Sequence, residues 1–219
     1  MTRLRLTPEL ILRAYARGIF PMAESAESQA LYWFEPSWRG VLPLERFHAS
    51  RSLVRSFRRG SWRFSCDRDF AGVLAGCADR QETWINDEIA RVFLDLHAAG
   101  HAHSIEVREE KGALVGGVYG LAMGGAFFAE SKFSRRTDAS KLALAELVAR
   151  LRRGRFRLLD TQYMTQHLAR LGGIELPRAA FRKQLEAALA APADHAKAFA
   201  PENPESPTGA YWQPITQTS

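Results

Sequence analysis

Gly116-Gly117-Val118-Tyr119-Gly120, Phe128-Ala129-Glu130-Ser131-Lys132-Phe133-Ser134-Arg135 and Leu158-Leu159-Asp160-Thr161-Gln162 follow one another at close intervals. Two apolar runs of strand length end on carboxylates, Glu130 and Asp160. A negative charge at the end of a buried strand costs several kcal/mol unless a partner offsets it. The stretch therefore reads as a candidate active site, and a cationic or amine substrate supplies the missing partner.

Working outward, residues 103–108 alternate like a half-exposed strand, and Glu110-Lys111-Gly112 turns the chain. Residues 114–123 and 126–130 then follow as antiparallel neighbours. Residues 139–153 form the longest helix, with Leu142, Leu144, Ala145, Leu147, Val148 and Leu151 on a wide apolar face. Residues 158–160 read as a short buried strand, 165–171 as a helix stopped by Gly172-Gly173, and 178–190 as the last helix. Ahead of the sheet, 50–59, 70–78 and 86–99 are helical and 61–66 extended. Thr7 caps a first helix that has Pro8 at its first position and runs to Arg17, before Gly18. Tyr32-Trp33-Phe34 and Arg39-Gly40-Val41-Leu42 are short strands around Glu35-Pro36-Ser37. The expected units are a small N-terminal domain (1–45), a catalytic domain (46–191) and a tail (192–219). Pro192, Pro201, Pro204, Pro207 and Pro214 make that tail irregular or disordered by expectation.

At 219 residues and 46% apolar content, the chain has room for one substantial domain and a small appendage. No stretch approaches the ~20 apolar residues of a membrane span, and the start lacks a signal-peptide core, so the expected location is the cytoplasm, away from membranes. Cys66 and Cys77 are too few for a disulfide framework or a cysteine-based zinc site and read as small buried side chains. His97, His101 and His103 are separated by a helix end, Gly100 and a strand start, which favours hydrogen-bonded structural roles over zinc. No metal and no cofactor is expected. Of the 30 basic residues 25 are Arg, within a net charge of +6. They concentrate in two patches, Arg46, Arg51, Arg55, Arg58, Arg59 and Arg63, then Arg150, Arg152, Arg153, Arg155 and Arg157. The planar guanidinium fork suits phosphate; a solvated helix face explains either patch equally well.

This order of elements resembles the GCN5-related N-acetyltransferase fold, an α/β (α+β) arrangement in which helices flank a mixed sheet and a donor thioester lies where two central strands splay. A coenzyme A enzyme of that kind carries a glycine-rich pyrophosphate loop after the fourth strand. Here Ser134-Arg135-Arg136-Thr137-Asp138-Ala139-Ser140 contains no glycine. A narrower match lies in Tyr15-Ala16-Arg17-Gly18-Ile19-Phe20-Pro21, Thr83-Trp84-Ile85, Gly100-His101-Ala102-His103-Ser104-Ile105-Glu106, Gly116 to Gly120, Glu130 to Arg135, Ala139-Ser140-Lys141 and Asp160-x-Gln162. Together these motifs, spread over residues 8–182, resemble the leucyl/phenylalanyl-tRNA–protein transferases. The resemblance implies transfer of Leu or Phe, with Met as a further donor, from aminoacyl-tRNA to the α-amine of proteins beginning with Arg or Lys, in the N-degron pathway. A coenzyme A-dependent N-acyltransferase and a non-catalytic tRNA-binding protein of the same fold stand as alternatives. Met22 follows the Phe-Pro where many members have Trp, and the N-terminal segment is shorter than in many members.

The resemblance assigns the catalytic role to Asp160 and Gln162, which lie two apart on an extended segment and so point to one side. Asp160 is expected to polarise the Gln162 amide, whose oxygen accepts a hydrogen bond from the attacking amine; a helix-capping Asp beside an ordinary Gln is the alternative. Glu130 is expected to pair with the donor's α-ammonium in preference to the acceptor's cation, with a salt bridge to Arg135 as the alternative. By resemblance Val118, Phe127, Leu144 and Leu147 surround the donor side chain, although all four also read as core. Trp84 offers a stacking platform for the terminal adenosine, or is a core Trp. Arg55, Arg58, Arg59, Arg150 and Arg153 are expected on the tRNA backbone and Arg135 at its 3′ end.

Overall fold

A computed structural model describes residues 5–201 of the chain. Residues 1–4 and 202–219, which hold the first residues of the start and most of the expected tail, lie outside the described residues. The elements run α1 (Pro8–Tyr15), β1 (Phe20–Ala23), β2 (Leu31–Phe34), β3 (Trp38–Val41), α2 (Arg51–Arg59), β4 (Trp62–Cys66), α3 (Phe70–Ala78), α4 (Asp87–Ala98), β5 (Ala102–Glu109), β6 (Leu114–Met123), β7 (Ala126–Ser134), α5 (Ala139–Arg153), β8 (Leu158–Gln162), α6 (Gln166–Arg170), β9 (Ile174–Pro177), α7 (Arg178–Ala190) and α8 (His195–Ala198).

Local chemistry sets the helix starts. Thr7 Oγ1 accepts from Leu10 N–H, Ser50 Oγ from Leu53 N–H, and Asn86 Oδ1 from Ile89 N–H at 2.9 Å, each filling an orphan donor of the first turn. Pro8 follows the first cap, and Gly18, at φ +79°, turns the chain after α1.

Seven strands form one sheet in the order β4-β5-β6-β7-β8-β3-β9, with β1 and β2 as a separate hairpin. Every pair in the large sheet is antiparallel except β7 and β8, which run parallel. Alternation along the strands divides the core into two layers. Val118 and Phe127 face α2, α5 and α8, while Tyr119 and Phe128 face α1, α3, α4 and α7. The fold is therefore α+β, a mixed sheet flanked by helices, as expected. The parallel pair holds only over Ala126↔Leu158, Phe127↔Leu159 and Phe128↔Asp160, and past that point β7 and β8 part.

Two boundaries differ from expectation. β3, placed by sequence within the N-terminal unit, is inserted in the main sheet between β8 and β9. Residues 192–201, expected to be irregular, include α8, with Ala198 fully buried and Phe199 stacked 3.6 Å from the His103 ring. Ala198 and Phe199, which lie between the prolines at the edges of this segment, join the core and hold it in place.

Candidate active site

Two β-bulges place the polar groups where the strands part. In the β6–β7 ladder Tyr119 pairs with Ser131 but Gly120 with Ala129, so Glu130 is the extra residue. A Cβ on Gly120 would collide with the Phe128 carbonyl and the Phe127 ring, so the close approach at this bulge requires glycine. In the β3–β8 ladder Gly40 pairs with Gln162 and Val41 with Asp160, leaving Thr161 as the extra residue. A Cβ on Gly40 would lie 2.8 Å from the Tyr163 carbonyl carbon. The second bulge ends on Gln162 in the left-handed region, at φ +54°. Bulges re-aim side chains next to functional sites, and these two turn Glu130 and Gln162 toward each other.

Gln162 Nε2 donates to Glu130 Oε1 at 3.2 Å, and the Tyr15 hydroxyl donates to Glu130 Oε2 at 2.8 Å. With its nitrogen on Glu130, the Gln162 amide leaves its carbonyl oxygen as an acceptor. Burial is the main cause that pushes the Glu130 carboxyl up to about 8; the Asp160 charge adds to it, while the Tyr15 hydroxyl, Arg39 and the Gln162 amide work against it. Burial next to Glu130 likewise holds the Tyr15 hydroxyl well above its ordinary range, so it stays a donor.

Behind this pair lies a buried clamp. Arg39 Nε donates to Asp160 Oδ1 at 2.9 Å, its Nη2 to Oδ2 at 2.6 Å and its Nη1 to the Gly18 carbonyl at 3.0 Å. The guanidinium is held between the Phe20 and Phe181 rings, 4.5 and 4.7 Å from their centroids. Asp160 Oδ1 also accepts from the Gln162 backbone N–H at 2.9 Å. This corrects the expected pairing. The bulge breaks the simple alternation, and Asp160, fully buried, holds the backbone of Gln162 rather than its side-chain amide.

A cavity of about 710 Å³ opens in front, lined by Glu130, Gln162, Trp84, Val118, Leu144 and Arg135 among the expected residues, and by Met22, Ala129, Lys132, Arg80 and Leu168 among others. Phe127 and Leu147 do not line it; each is 1% exposed and packs in the core layer behind Val118 and Leu144. Arg135 lies over the Phe133 ring at 5.2 Å and 3.7 Å from Asp79, not against Glu130. Arg150 is the clear correction among the arginines. It is fully buried on α5, with Nε 2.9 Å from Glu146 and Nη1 donating to the Ala198 and Ala200 carbonyls, so it fastens the C-terminal segment and cannot reach a tRNA. Its i,i+4 spacing from Glu146 on an apolar helix was the available signal. Arg55, Arg58 and Arg59 are exposed on α2, and a shallow groove joins Arg55 and Arg59 to Arg136, next to Arg135 at the cavity rim. Arg153 is exposed, with Nε donating to the Lys197 carbonyl.

Arg39 and Tyr15 were not singled out from sequence. A lone Arg inside the apolar run 38–42 was the signal for the first; Tyr15, on the apolar face of α1, opens one of the family motifs, which was its signal. The glycine-free loop closes on itself: Ser134 Oγ accepts from Ser140 N–H and donates to the Arg136 carbonyl. One donor at the start of α5 is thereby taken, where a coenzyme A pyrophosphate needs open N–H groups. Cys66 and Cys77 are buried free thiols, held above their ordinary range by burial. His97 Nδ1 donates to the Ala102 carbonyl at 2.8 Å and His103 Nδ1 lies 2.6 Å from Asp67 Oδ2. No group of three or more His, Cys, Asp or Glu residues is placed to hold a metal ion, and no helix is long and apolar enough to cross a membrane, among the described residues.

The family model described as leucyl/phenylalanyl-tRNA protein transferase matches residues 41–186, and the model for the N-terminal domain of the same transferase matches residues 5–37. The chain belongs to this family. The leucyl/phenylalanyl-tRNA–protein transferase of Ruegeria pomeroyi is 58% identical over 98% of this chain and 99% of its own. That of Cereibacter sphaeroides is 55% identical over the whole of both chains, and that of Paracoccus denitrificans 52% identical over 98% of each. Among solved structures, FemX aligns with a TM-score of 0.46 and 13% identity, over 81% of this chain and 65% of that one. The family is one of transferases, so the chain is an enzyme.

Proposed function

We propose that the enzyme moves Leu or Phe from aminoacyl-tRNA to the α-amine of cytoplasmic proteins whose N-terminal residue is Arg or Lys, which exposes them to N-degron degradation. The observation that carries this reading is the Gln162–Glu130 pair, set where β7 and β8 part and beside the apolar wall of Val118, Ala129, Leu144 and Leu168. The donor ester is already activated, and an α-amine with an ordinary pKa of about 8 is partly neutral at physiological pH. The new C–N bond forms at the ester carbonyl, the bond to the tRNA 3′ oxygen breaks, and the amine proton ends on that oxygen. Orientation supplies most of the acceleration, up to roughly 7–11 kcal/mol in favourable cases.

The Gln162 oxygen accepts from the attacking amine, Glu130 gives up its proton and pairs with the donor's α-ammonium, whose charge offsets the burial that otherwise keeps the carboxyl neutral, and the Arg39–Asp160 clamp fixes Gln162 in its left-handed turn. The apolar wall takes the donor side chain and excludes charge, but one methylene is worth only ~1–3 kcal/mol, so Leu, Phe and Met are weakly separated. Trp84 stacks on the terminal adenosine, worth ~1–3 kcal/mol. The α2 arginines and Arg153 contact the tRNA backbone, with Arg135 at its 3′ end. Incubation with labelled Phe-tRNA or Leu-tRNA and an Arg-starting peptide tests the reading. Label should pass to the peptide and not to an N-acetylated control; absence of transfer with both donors sinks it.

A further inference from the structure

The cavity is electrically divided, and of its basic end only Arg135 has a use in the steps above. Lys132 stands opposite Val118 in the β6–β7 register, so the two side chains share the face that lines the cavity. Arg80, just beyond α3, reaches the same wall, where its Nη2 donates to the Lys132 carbonyl and to Ser131 Oγ. Arg135 completes the group, laid over Phe133. Among the described residues the only carboxylate lining this end is Asp79, mostly exposed and 3.7 Å from Arg135. The Lys132 ammonium has no hydrogen-bond or ion-pair partner among the described residues. Burial and the neighbouring Arg80 charge both disfavour its protonated form. Lys132, half-buried, and Arg80 and Arg135, exposed at the rim, gather three cations on one wall, an arrangement that favours an anion.

We infer that Lys132, Arg80 and Arg135 form a phosphate subsite inside the cavity, which takes the 5′-phosphate of the nucleoside carrying the ester. The inference rests on the aminoacyl-tRNA reading for the origin of that nucleoside. Its chemistry is an adenosine-linked phosphate, whether from the terminal phosphodiester of a nucleic acid or a free nucleotide. Phosphate at the basic end and the substrate ammonium at Glu130 orient the donor across the cavity. The division also keeps a cationic acceptor side chain away from the Lys132 wall.

Calorimetric titration of the full chain with adenosine, adenosine 5′-phosphate and inorganic phosphate tests this directly. The nucleotide should bind roughly tenfold or more tightly than the nucleoside, the worth of one charge-assisted hydrogen bond, and inorganic phosphate should bind weakly. Lys132→Met and, separately, Arg80→Gln should each shrink that ratio while leaving adenosine affinity in place; Lys132→Arg should retain it. Equal binding of nucleotide and nucleoside by the wild type, or a ratio that survives both Lys132→Met and Arg80→Gln, overturns the inference. KM for Phe-tRNA should rise several-fold in Lys132→Met, and an unchanged KM assigns the subsite to free nucleotides. Loss of all peptide transfer with the nucleotide preference intact would instead overturn the aminoacyl-tRNA reading and leave the subsite standing.

Discussion

Gln162 and Glu130, 32 residues apart in sequence, meet at 3.2 Å across the gap where β7 and β8 separate. The contact needs a bulge in each strand, and it leaves one amide oxygen free for an incoming N–H. Gln162→Ala should lower kcat/KM roughly 10²–10³-fold, the usual worth of one well-placed polar group. Gln162→Glu should do no better, because it sets a second acid against Glu130. Steady-state transfer from labelled Phe-tRNA, with circular dichroism to confirm the fold, measures both.

Arg39 and Asp160 are buried together, so removing one partner strands the other. Arg39→Met should cost about 3–5 kcal/mol of stability in urea unfolding, whereas Arg39→Met with Asp160→Leu should recover most of it. Transfer should stay low in the double variant, because the Gln162 N–H then lacks the oxygen that holds its turn. A double variant with normal transfer would remove the positioning role of the clamp.

Glu130 should make stability fall with pH. Its carboxyl is pushed up to about 8 in the fold from an ordinary 4.5, so the folded state binds more protons than the unfolded state between those values. Its contribution is complete below 4.5 and is lost as pH rises toward 8, at a limiting slope of about 1.4 kcal/mol per pH unit. Glu130→Gln removes that dependence. The stability of the variant relative to wild type should therefore rise across this window and level off above it, as urea unfolding at a series of pH values will read.

Gly120→Ala should displace the Glu130 bulge, since its Cβ meets the Phe128 carbonyl and the Phe127 ring. Overpacking of this kind costs typically about 1–3 kcal/mol. The loss of transfer should exceed the loss of stability, whereas Gly100→Ala, whose Cβ meets nothing within 4 Å, strains its left-handed backbone but should leave transfer intact.

The α2 arginines are exposed and continuous with the cavity rim through Arg136. Reversing Arg55 and Arg59 to Glu should raise the KM for tRNA while leaving kcat for the bound complex. The log–log salt dependence of tRNA affinity should flatten by about one unit for each phosphate that the variant no longer neutralises. A slope equal to the wild-type value would place the tRNA backbone on another face.

The secondary structure was largely legible because its signals are local. The pattern of 139–153 is α5 residue for residue, and the spans 70–78, 114–123 and 178–190 coincide with α3, β6 and α7. Period, caps and breakers need only a few neighbours to act. Where a segment depends on a distant partner the same reading fell short. β1 was unmarked, β7 continues to Ser134 past its expected end, and β3 sits in a different sheet from the hairpin that precedes it. Arg150 looked like part of a surface patch because its burial comes from Glu146 beneath it and from Ala198 and Ala200, some fifty residues on.

Residue types and order alone determined the fold class and the family motifs, and singled out the acids and amide of the candidate site. Only the tertiary structure decided how they act. Tyr15 reaches Glu130 over 115 residues and Arg39 reaches Asp160 over 121, pairings with no local periodicity to announce them. The bulges at Glu130 and Thr161 arise from mismatched register against partner strands, a property of two strands together and of neither alone.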